Sequence, residues 1–442
     1  MRPKKCASPP PNRDAIDPSE DESLQAAKNR NTGRRPAVHA AAKGVYTWYP
    51  DRLARRSPIQ VANSHRHQST ARFRQTGMNA FRRSKHRRLR VYRSLRSAHL
   101  ERARTLTSAT ILYNRRREDF DIKLTEGLDL VRTNPLGTFL TVLISDLDAI
   151  EINEPLMGGG LWNGLSAVVA ARLSELVRQR PIRVVTYAIE NLNPFSARVR
   201  LRSRLRARAE IALASLLARN LDRIAFGTEG ARSLYIATMG RALRKADCTT
   251  IAALPAACTC LNAVPCKSGS VLFLGALDDR KGFPSLVAAW PEVQEHVAGA
   301  QLTVIGKGPL EGLARELEQH GSAVRVLIDP PRDTIHAELR AATALVLLSK
   351  PTQYWREQVG LPIVEALAHG CTVLTTDQTG LAGWLAAHGH VVISSNAQPP
   401  EIAREINTVL REPRSPDSVL TDLAAIDGRI QADEWMFSPP AP

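Results

Sequence analysis

One stretch near the carboxyl terminus, residues 356–377, constrains the fold most closely. Its sequence, REQVGLPIVEALAHGCTVLTTD, predicts a loop, a short helix and a buried strand in immediate succession. Pro362 suits the first helical position because its missing N–H would have no partner there, and Gly370 suits the end of the helix. A helix this short is not stable alone, so its apolar face must pack against other elements. This order is typical of an α/β domain.

The same alternation of strand and helix extends on both sides of that stretch. Apolar runs predicted as strands, each followed by a turn and a helix, recur in the C-terminal half, as in SVLFLG at 270–275 and LTVIGKGPL at 302–310. Two more predicted strands, at 148–156 and 181–191, enclose a helix further upstream. Strand–helix–strand order implies a parallel sheet whose ligands gather at the carboxyl ends of the strands.

Two carboxylates flank the predicted helix start. Glu357 precedes the helix and Glu365 lies one turn inside it, and helical side chains lean toward the N-terminus, so both can face one ligand. Free N–H groups near Gly360 and Leu361 suit a phosphate, whereas carboxylates accept hydrogen bonds from sugar hydroxyls. The predicted ligand therefore carries phosphates and hydroxyls, as a nucleotide sugar does.

Glu357 and Glu365, separated by seven residues with Gly360 between them, resemble the E-x7-E signature of retaining GT-B glycosyltransferases of family four. The resemblance implies that Glu357 contacts the donor sugar, that Glu365 contacts the ribose, and that the backbone at Gly360 and Leu361 contacts the phosphates. It also implies an α/β fold of two Rossmann-like, doubly wound domains that face each other across a cleft.

Further donor-binding candidates follow from the same resemblance. Lys281 belongs to a Lys-Gly pair similar to the one whose lysine contacts the donor diphosphate in the family. Ala276 stands where the family has an arginine, and Arg280 is the candidate to supply the missing charge. Gly306 and Gly308 resemble the family's G-x-G-P turn near the nucleotide base.

The candidate residues for the acceptor side follow two predicted strands in the N-terminal half of the chain. The resembling family commonly has a histidine after one N-terminal strand, whereas this chain has Glu154 and Glu190 at the ends of two predicted strands. We treat both as candidate catalytic residues, with loop carboxylates or helix caps as the alternative. Tyr354 and Trp355 are candidates to line the pocket, although loop packing also explains an aromatic pair.

The net charge of +17 is unevenly distributed, because residues 1–117 contain 28 Lys and Arg against 7 Asp and Glu. This predicts a basic N-terminal extension. The basic run FRRSKHRRLRVYRSLR, at 81–96, is interpreted as an arm for nucleic acid or acidic lipid headgroups, or as a solvated arm. No zinc-finger or aromatic RNA-binding motif accompanies it, so nucleic acid is not the expected partner. The arginine-rich segment at 198–208 predicts a basic surface toward an anionic membrane.

These patterns predict four regions. They are a disordered extension at 1–43, an N-terminal acceptor-side Rossmann-like domain at 44–262 with an undecided part at 44–134, a C-terminal nucleotide-sugar-binding Rossmann-like domain at 263–414, and a helix and tail at 415–442. The opening residues lack the apolar core of a signal peptide, and no run is long enough to span a membrane. We therefore expect a cytoplasmic protein, with peripheral binding to the inner face of the membrane as a further expectation.

The cysteine count does not predict a disulfide framework, which favours a reducing compartment. Cys258, Cys260 and Cys266 lie close together in the sequence, but no further His or Cys follows at a finger-like spacing. We therefore expect no structural zinc.

Together these features predict a hexosyltransferase-type glycosyltransferase of polysaccharide biosynthesis. It would move a sugar from a nucleoside diphosphate donor to a glycan or glycolipid acceptor, with retention and without a metal or other cofactor, as the resemblance implies. Two alternatives stay open: a nucleotide-sugar epimerase of the same fold, and a non-catalytic binding protein with a basic nucleic-acid- or membrane-binding arm. The sequence predicts neither the base and sugar of the donor nor the acceptor and linkage.

Overall fold

The computed structural model describes residues 81–117, 120–156, 160–195, 201–260, 267–321, 323–353 and 355–439. The predicted extension at 1–43 and a short strand expected at 44–50 lie outside these ranges. The described residues form two α/β domains, each built on one parallel sheet, within one compact unit.

The N-terminal domain has a seven-stranded sheet in the order β3-β2-β1-β4-β5-β6-β7. Its strands are β1 (Arg88–Leu95), β2 (Thr110–Arg116), β3 (Asp129–Arg132), β4 (Ala149–Ile152), β5 (Arg183–Ala188), β6 (Arg223–Phe226) and β7 (Asp247–Thr250). Its helices are α1 (Ser97–Ala103), α2 (Pro135–Ile144), α3 (Leu161–Arg178), α4 (Leu201–Ala218) and α5 (Glu229–Met239). The helical stretch expected after residue 135 and the strands expected at 148–156 and 181–191 are confirmed as α2, β4 and β5.

The C-terminal domain has a six-stranded sheet in the order β10-β9-β8-β11-β12-β13. Its strands are β8 (Ser270–Leu274), β9 (Gln301–Ile305), β10 (Val324–Leu327), β11 (Ala344–Leu347), β12 (Thr372–Thr376) and β13 (Val391–Ile393). Its helices are α6 (Phe283–His296), α7 (Glu311–His320), α8 (Arg332–Ala341), α9 (Leu361–Ala368), α10 (Ala382–Ala387) and α11 (Pro399–Arg411).

Both sheets reverse their strand order at one point, between β1 and β4 in the first and between β8 and β11 in the second. In open parallel sheets, ligands bind in the crevice that such a reversal leaves at the carboxyl ends of the strands. The predicted doubly wound, Rossmann-like architecture is therefore confirmed, and the second crevice lies beside the residues predicted to bind the donor.

The interpretation of the basic run at 81–96 as an arm is wrong, because this run contains β1, an interior strand of the first sheet that lies between β2 and β4. Leu89, Val91 and Leu95 are buried, and Arg90 between them is only 1% exposed. Arg90 is tolerated there because buried carboxylates neutralise it. The first α/β unit of the domain is thus present, but the turn after β1 is not glycine-rich.

The chain returns to the N-terminal domain in its last helix. Helix α12 (Pro416–Thr421) packs against α9 in the C-terminal domain, and α13 (Gly428–Phe437) then reaches the first sheet, within the helix and tail expected at 415–442. Ala432 and Met436 of α13 pack against Val185 and Ala225 of the first sheet. None of the described helices is both long enough and apolar enough to cross a membrane.

Four buried ionic side chains join α13 to that sheet. Glu151 of β4 accepts hydrogen bonds from Arg90 and from Arg429, and Asp433 lies 2.7 Å from Arg90. All four residues are nearly inaccessible to solvent. Charges this deep are stable only while each has its partners, so the cluster ties the chain terminus to the core of the first domain.

Candidate functional site

Helix α9 begins directly after Gly360, whose φ of +82° favours glycine. A Cβ at this position would lie 2.8 Å from the Ile363 side chain. Pro362 has no N–H and the Ile363 N–H donates to the Gly360 carbonyl oxygen at 2.9 Å, so within the described part of the chain the N–H groups of Gly360 and Leu361 are those left for an anion. Pro362 is the second helical residue rather than the first, and Gly370 follows the helix end as predicted, at a φ of +81°.

Glu357 lies just before this helix and pairs with Lys281. The two residues are 8% and 9% exposed, and the Lys281 ammonium donates a hydrogen bond to Glu357 Oε2. The hydroxyl of Ser349 donates to the same oxygen at 2.8 Å. The structure thus holds the Glu357 carboxylate between two hydrogen-bond donors in a nearly buried position.

The carboxyl ends of β8 and β11 bring Lys281 and Ser349 together. After β8 the chain makes one turn of 3-10 helix at Asp279–Lys281, and the Asp278 carboxylate caps it by accepting the Lys281 N–H at 2.8 Å. Gly282 follows, with a φ of +72°, and any Cβ there would clash with the Leu348 carbonyl oxygen. Ser349 was missed by the sequence reasoning; its only signal was a polar residue at the end of a buried strand.

Arg280 and Trp355 form one wall beside this cluster. The Arg280 guanidinium lies 4.2 Å from the centre of the Trp355 ring and 3.0 Å from Asp278 Oδ2. The Lys281 ammonium lies 5.3 Å from the same ring. A cation over an aromatic face is attracted to it, so Trp355 holds both positive charges in place. Tyr354 lies outside the described residues.

Gly306 and Gly308 lie where the turn after β9 crosses the loop after β8. A Cβ on Gly306 would clash with the Gly275 carbonyl oxygen, and a Cβ on Gly308 would lie 2.6 Å from the Leu277 carbonyl oxygen. This close approach of backbone explains both glycines. Their predicted contact with a nucleotide base stays a prediction.

Glu365, on the second turn of α9, forms an ion pair with Arg332 at 2.8 Å, and its side chain is 25% exposed. Arg332 begins α8 and was missed by the sequence reasoning. The ion pair holds the Glu365 carboxylate at the side of α9, and its predicted contact with a ribose stays a prediction.

The N-terminal domain contributes Glu190 and Asn191 next to Glu357. The Asn191 side-chain amide donates to the Glu357 carbonyl oxygen at 2.8 Å, and Gln358 donates to Glu190 Oε2 at 2.9 Å. Two residues that the sequence placed after β5 thus meet the donor-side loop directly.

Glu154 is buried, and the groups that donate hydrogen bonds to its carboxylate belong to the N-terminal domain. Its Oε1 accepts the N–H groups of Ile189 and Glu190 at 2.7 and 3.2 Å, and Tyr235 donates to its Oε2 at 3.1 Å. Its backbone φ is +49°. Burial raises the pKa of Glu154 to about 8, despite the hydrogen bonds that lower it. This geometry favours a role in holding the loop that carries Glu190.

The raised pKa of Glu154 predicts how its substitution alters stability with pH. The folded pKa lies above the unfolded one, so ionisation costs stability as pH rises from the unfolded value of 4.5 through about 8. Glu154→Gln keeps the shape and cannot ionise. Each pKa unit corresponds to about 1.4 kcal/mol, so the variant should gain a few kcal/mol over the wild type between about pH 5 and about pH 8.

Urea unfolding of both proteins at several pH values measures this gain. Glu412→Gln, at an exposed glutamate, is the matched control and should follow the wild type at every pH. A stability difference between Glu154→Gln and the wild type that stays constant with pH would contradict the raised pKa.

Comparisons with known proteins agree with this architecture. Residues 268–415 match the family model described as glycosyl transferases group 1. A comparison with curated proteins gives no match. Among solved structures, HepE of Anabaena in complex with UDP aligns at 15% identity over 79% of this chain and 95% of that chain, with a TM-score of 0.53.

Two further solved structures show the same likeness. The lipopolysaccharide outer core galactosyltransferase WaaB aligns at 12% identity over 79% of this chain and 99% of that chain, with a TM-score of 0.54. OtsA aligns at 11% identity over 81% and 100% of the two chains, with a TM-score of 0.53. At such identities a likeness shows the fold. The chain thus has the GT-B fold of two Rossmann-like domains, and its C-terminal domain matches the group 1 glycosyl transferase family.

Proposed function

We propose that this protein transfers a sugar from a nucleoside diphosphate donor to a glycan or glycolipid acceptor. The observation that carries the proposal is the pairing of Lys281 with Glu357 beside the uncapped start of α9, at the strand reversal of the C-terminal sheet. A cation and free backbone N–H groups suit a diphosphate, and carboxylates suit sugar hydroxyls. The match of residues 268–415 to the group 1 family supports the same reading of the site.

The chemistry proposed here is stabilisation of a leaving diphosphate. Negative charge develops on the phosphates as the bond to the sugar breaks, and the N-terminus of α9, Lys281 and Arg280 supply fixed positive charge. These groups would serve without a divalent metal. Glu357 would bind the donor sugar and Glu365 the ribose, and transfer would retain the anomeric configuration, as the resembling family implies.

The acceptor would enter from the N-terminal domain, past Glu190. Glu190 contacts Gln358 and Asn191 contacts the Glu357 backbone, which supports an acceptor that meets the donor beside Glu357. Such a junction excludes water, which would otherwise hydrolyse the donor. Glu154 would act as a positioning residue that fixes the loop after β5.

An exposed apolar surface on the N-terminal domain supports an acceptor held at a membrane. Helix α3 exposes five large apolar side chains: Trp162, Val169, Leu173, Leu176 and Val177. At helical spacing they fall within an arc of about 100°. Helix α4 packs beside α3 and exposes Arg206 and Arg208. An apolar stripe next to arginines suits the surface of an anionic bilayer, and we propose a peripheral, cytoplasmic enzyme of hexosyl transfer in polysaccharide biosynthesis.

The proposal is tested by thermal unfolding with UDP, GDP, ADP, CDP and dTDP. UDP is the first choice because the structurally similar HepE was solved with it. A nucleotide at about a hundred times its Kd adds about 2.7 kcal/mol of stability, so one nucleotide should raise the midpoint clearly. No shift with any of the five would contradict the proposed donor site.

The role of Lys281 is tested in the same assay by Lys281→Met, which removes the charge and keeps much of the volume. A charged hydrogen bond is worth about 1.5–3 kcal/mol, so diphosphate affinity should fall by about tenfold or more, and affinity for the nucleoside alone should change little. Lys267→Met, at an exposed lysine before β8, should leave both affinities unchanged. Equal losses for diphosphate and nucleoside would contradict a phosphate contact at Lys281.

A further inference from the structure

Four potential metal ligands converge at the C-terminal end of α9, the helix that follows Glu357. Cys258 and Cys260 lie in the segment after β7, His336 lies on α8, and His369 follows the end of α9. One ligand atom from each lies within 4.8 Å of the other three. The sequence showed no such partner because His336 is 78 positions from Cys258 and His369 is 109 positions from Cys260. Cys266, the third cysteine of the sequence cluster, lies outside the described residues.

The spacing of these atoms is close to that of a tetrahedral site. Zinc bonds of about 2.3 Å to sulfur and about 2.0–2.1 Å to nitrogen place tetrahedral ligand atoms about 3.3–3.8 Å apart. Cys258 Sγ lies 3.9 Å from His336 Nδ1, and Cys260 Sγ lies 3.4 Å from His369 Nε2. The two nitrogens are 2.9 Å apart and the two sulfurs 2.7 Å apart, so an ion would open these two edges by about 1 Å or less.

Hydrogen bonds with residues outside the cluster orient two of the four ligands, His369 and Cys260. His369 Nδ1 lies 2.6 Å from the Glu365 carbonyl oxygen and donates to it, so the lone pair of Nε2 faces the cluster. A metal-bound histidine almost always has such a partner on its other nitrogen. Arg340 donates a hydrogen bond to Cys260 Sγ, so this sulfur also has a partner outside the cluster that orients it.

We propose that Cys258, Cys260, His336 and His369 bind one structural zinc ion. Two thiolates and two imidazoles in a closed tetrahedral set are typical of zinc, and four protein ligands leave no open position for substrate. The expectation of no structural zinc rested on linear spacing alone, and the fold supplies the missing ligands from two helices.

The zinc ion would connect the segment between β7 and β8 to α9. The Cys258 N–H donates to the Ala368 carbonyl oxygen at 2.7 Å, at the C-terminal end of α9. This helix has eight residues and is about 12 Å long, so zinc and the donor phosphates would occupy opposite ends of it. Zinc would thus hold α9 against the segment that follows β7. This inference does not depend on sugar transfer.

Metal analysis of the full chain tests the proposal. Protein purified with a thiol reductant and without chelator, then supplied with zinc and desalted, should contain about one zinc per chain. The variants Cys258→Ser, Cys260→Ser, His336→Asn and His369→Asn should each fall to about a tenth of that content or less. The matched controls are Cys371→Ser, at a buried thiol that donates to Leu339, and His296→Asn, at an exposed histidine of α6; both should keep the metal.

Cobalt substitution of the wild-type protein keeps the test independent of whether the variants fold. Cobalt bound by two thiolates in a tetrahedral site should give thiolate-to-metal charge-transfer absorption and intense visible bands. Three outcomes would overturn the proposal: wild-type protein without stoichiometric zinc, zinc content unaffected by all four ligand variants, or a Cys258–Cys260 disulfide in protein kept reduced. Each of these outcomes concerns the metal or the thiols, so none of them bears on the proposed transfer reaction, which has a separate test.

Discussion

Replacement of Glu357 by glutamine should lower the rate of sugar transfer by about 100-fold or more while the protein stays folded. Glutamine keeps the volume and can still accept the hydrogen bonds of Ser349 and Lys281. It removes the charge that holds Lys281 and that would orient the donor sugar. Loss of one electrostatic contact in a closed active site typically costs about 100- to 1,000-fold in turnover.

The burial of Glu357 decides which substitution is informative. Alanine would leave the nearly buried Lys281 ammonium without its carboxylate, and breaking a buried pair in this way costs about 3–5 kcal/mol. Lost activity in that variant would then combine a stability effect with a chemical one. Glu357→Gln also removes the charge, but it keeps a hydrogen-bond acceptor for Lys281 and Ser349 and opens no cavity, so its melting temperature should fall less than that of Glu357→Ala.

The assay follows both the transferred product and the sugar nucleotide. Glu412→Gln, an exposed glutamate, is the matched control and should transfer at the wild-type rate. Unchanged transfer by folded Glu357→Gln would remove this residue from the mechanism. Isomerised sugar nucleotide formed by the wild type in the absence of any acceptor would instead indicate the epimerase alternative.

Replacement of Glu151 by alanine should destabilise the protein by about 3–5 kcal/mol, the typical cost of removing one partner from a buried ion pair. Glu151 is fully buried and is shared by two guanidinium groups, those of Arg90 and Arg429. After its removal, Asp433 alone would balance two buried positive charges. An effect of this size is a large fraction of the stability of an ordinary protein.

Urea unfolding of Glu151→Ala beside Asp148→Ala measures this effect. Asp148 lies just before the same strand and pairs with Arg87 and Arg180, but its side chain is 49% exposed. An exposed ion pair contributes about 0–1 kcal/mol, so this control should unfold close to the wild type. Similar midpoints for the two variants would show that the buried cluster does not hold α13 to the first sheet.

Much of the C-terminal domain could be predicted from the sequence because its signals are local. Buried parallel strands appear as continuous apolar runs, and Gly370 marked the end of α9 at a positive φ that only glycine adopts freely. In the N-terminal domain Thr228 caps α5 in the same local way, because its side chain accepts the Ala231 N–H at 3.0 Å. These features depend on neighbours within a few residues.

The sequence led to a wrong interpretation where a charged side chain is neutralised by a residue far away in the sequence. The basic run at 81–96 was interpreted as an arm because nothing near it in the sequence reveals the carboxylates that neutralise Arg90 at the centre of β1. A buried arginine and a solvated one have the same local pattern. Only the pairing of β1 with β2 and β4, and the return of α13, decided that this run is core.

The sequence by itself determined the α/β class, helix α9 and the two glutamates around it, because residue spacing along one helix fixes their geometry. The tertiary structure alone decided which groups meet them. Lys281 reaches Glu357 from 76 residues away, and Asn191 reaches the Glu357 backbone from 166 residues away. The Cys258, Cys260, His336 and His369 cluster likewise exists only because two helices and the segment after β7 pack together. Contacts between residues so far apart depend on strand order and helix packing, which no local pattern encodes.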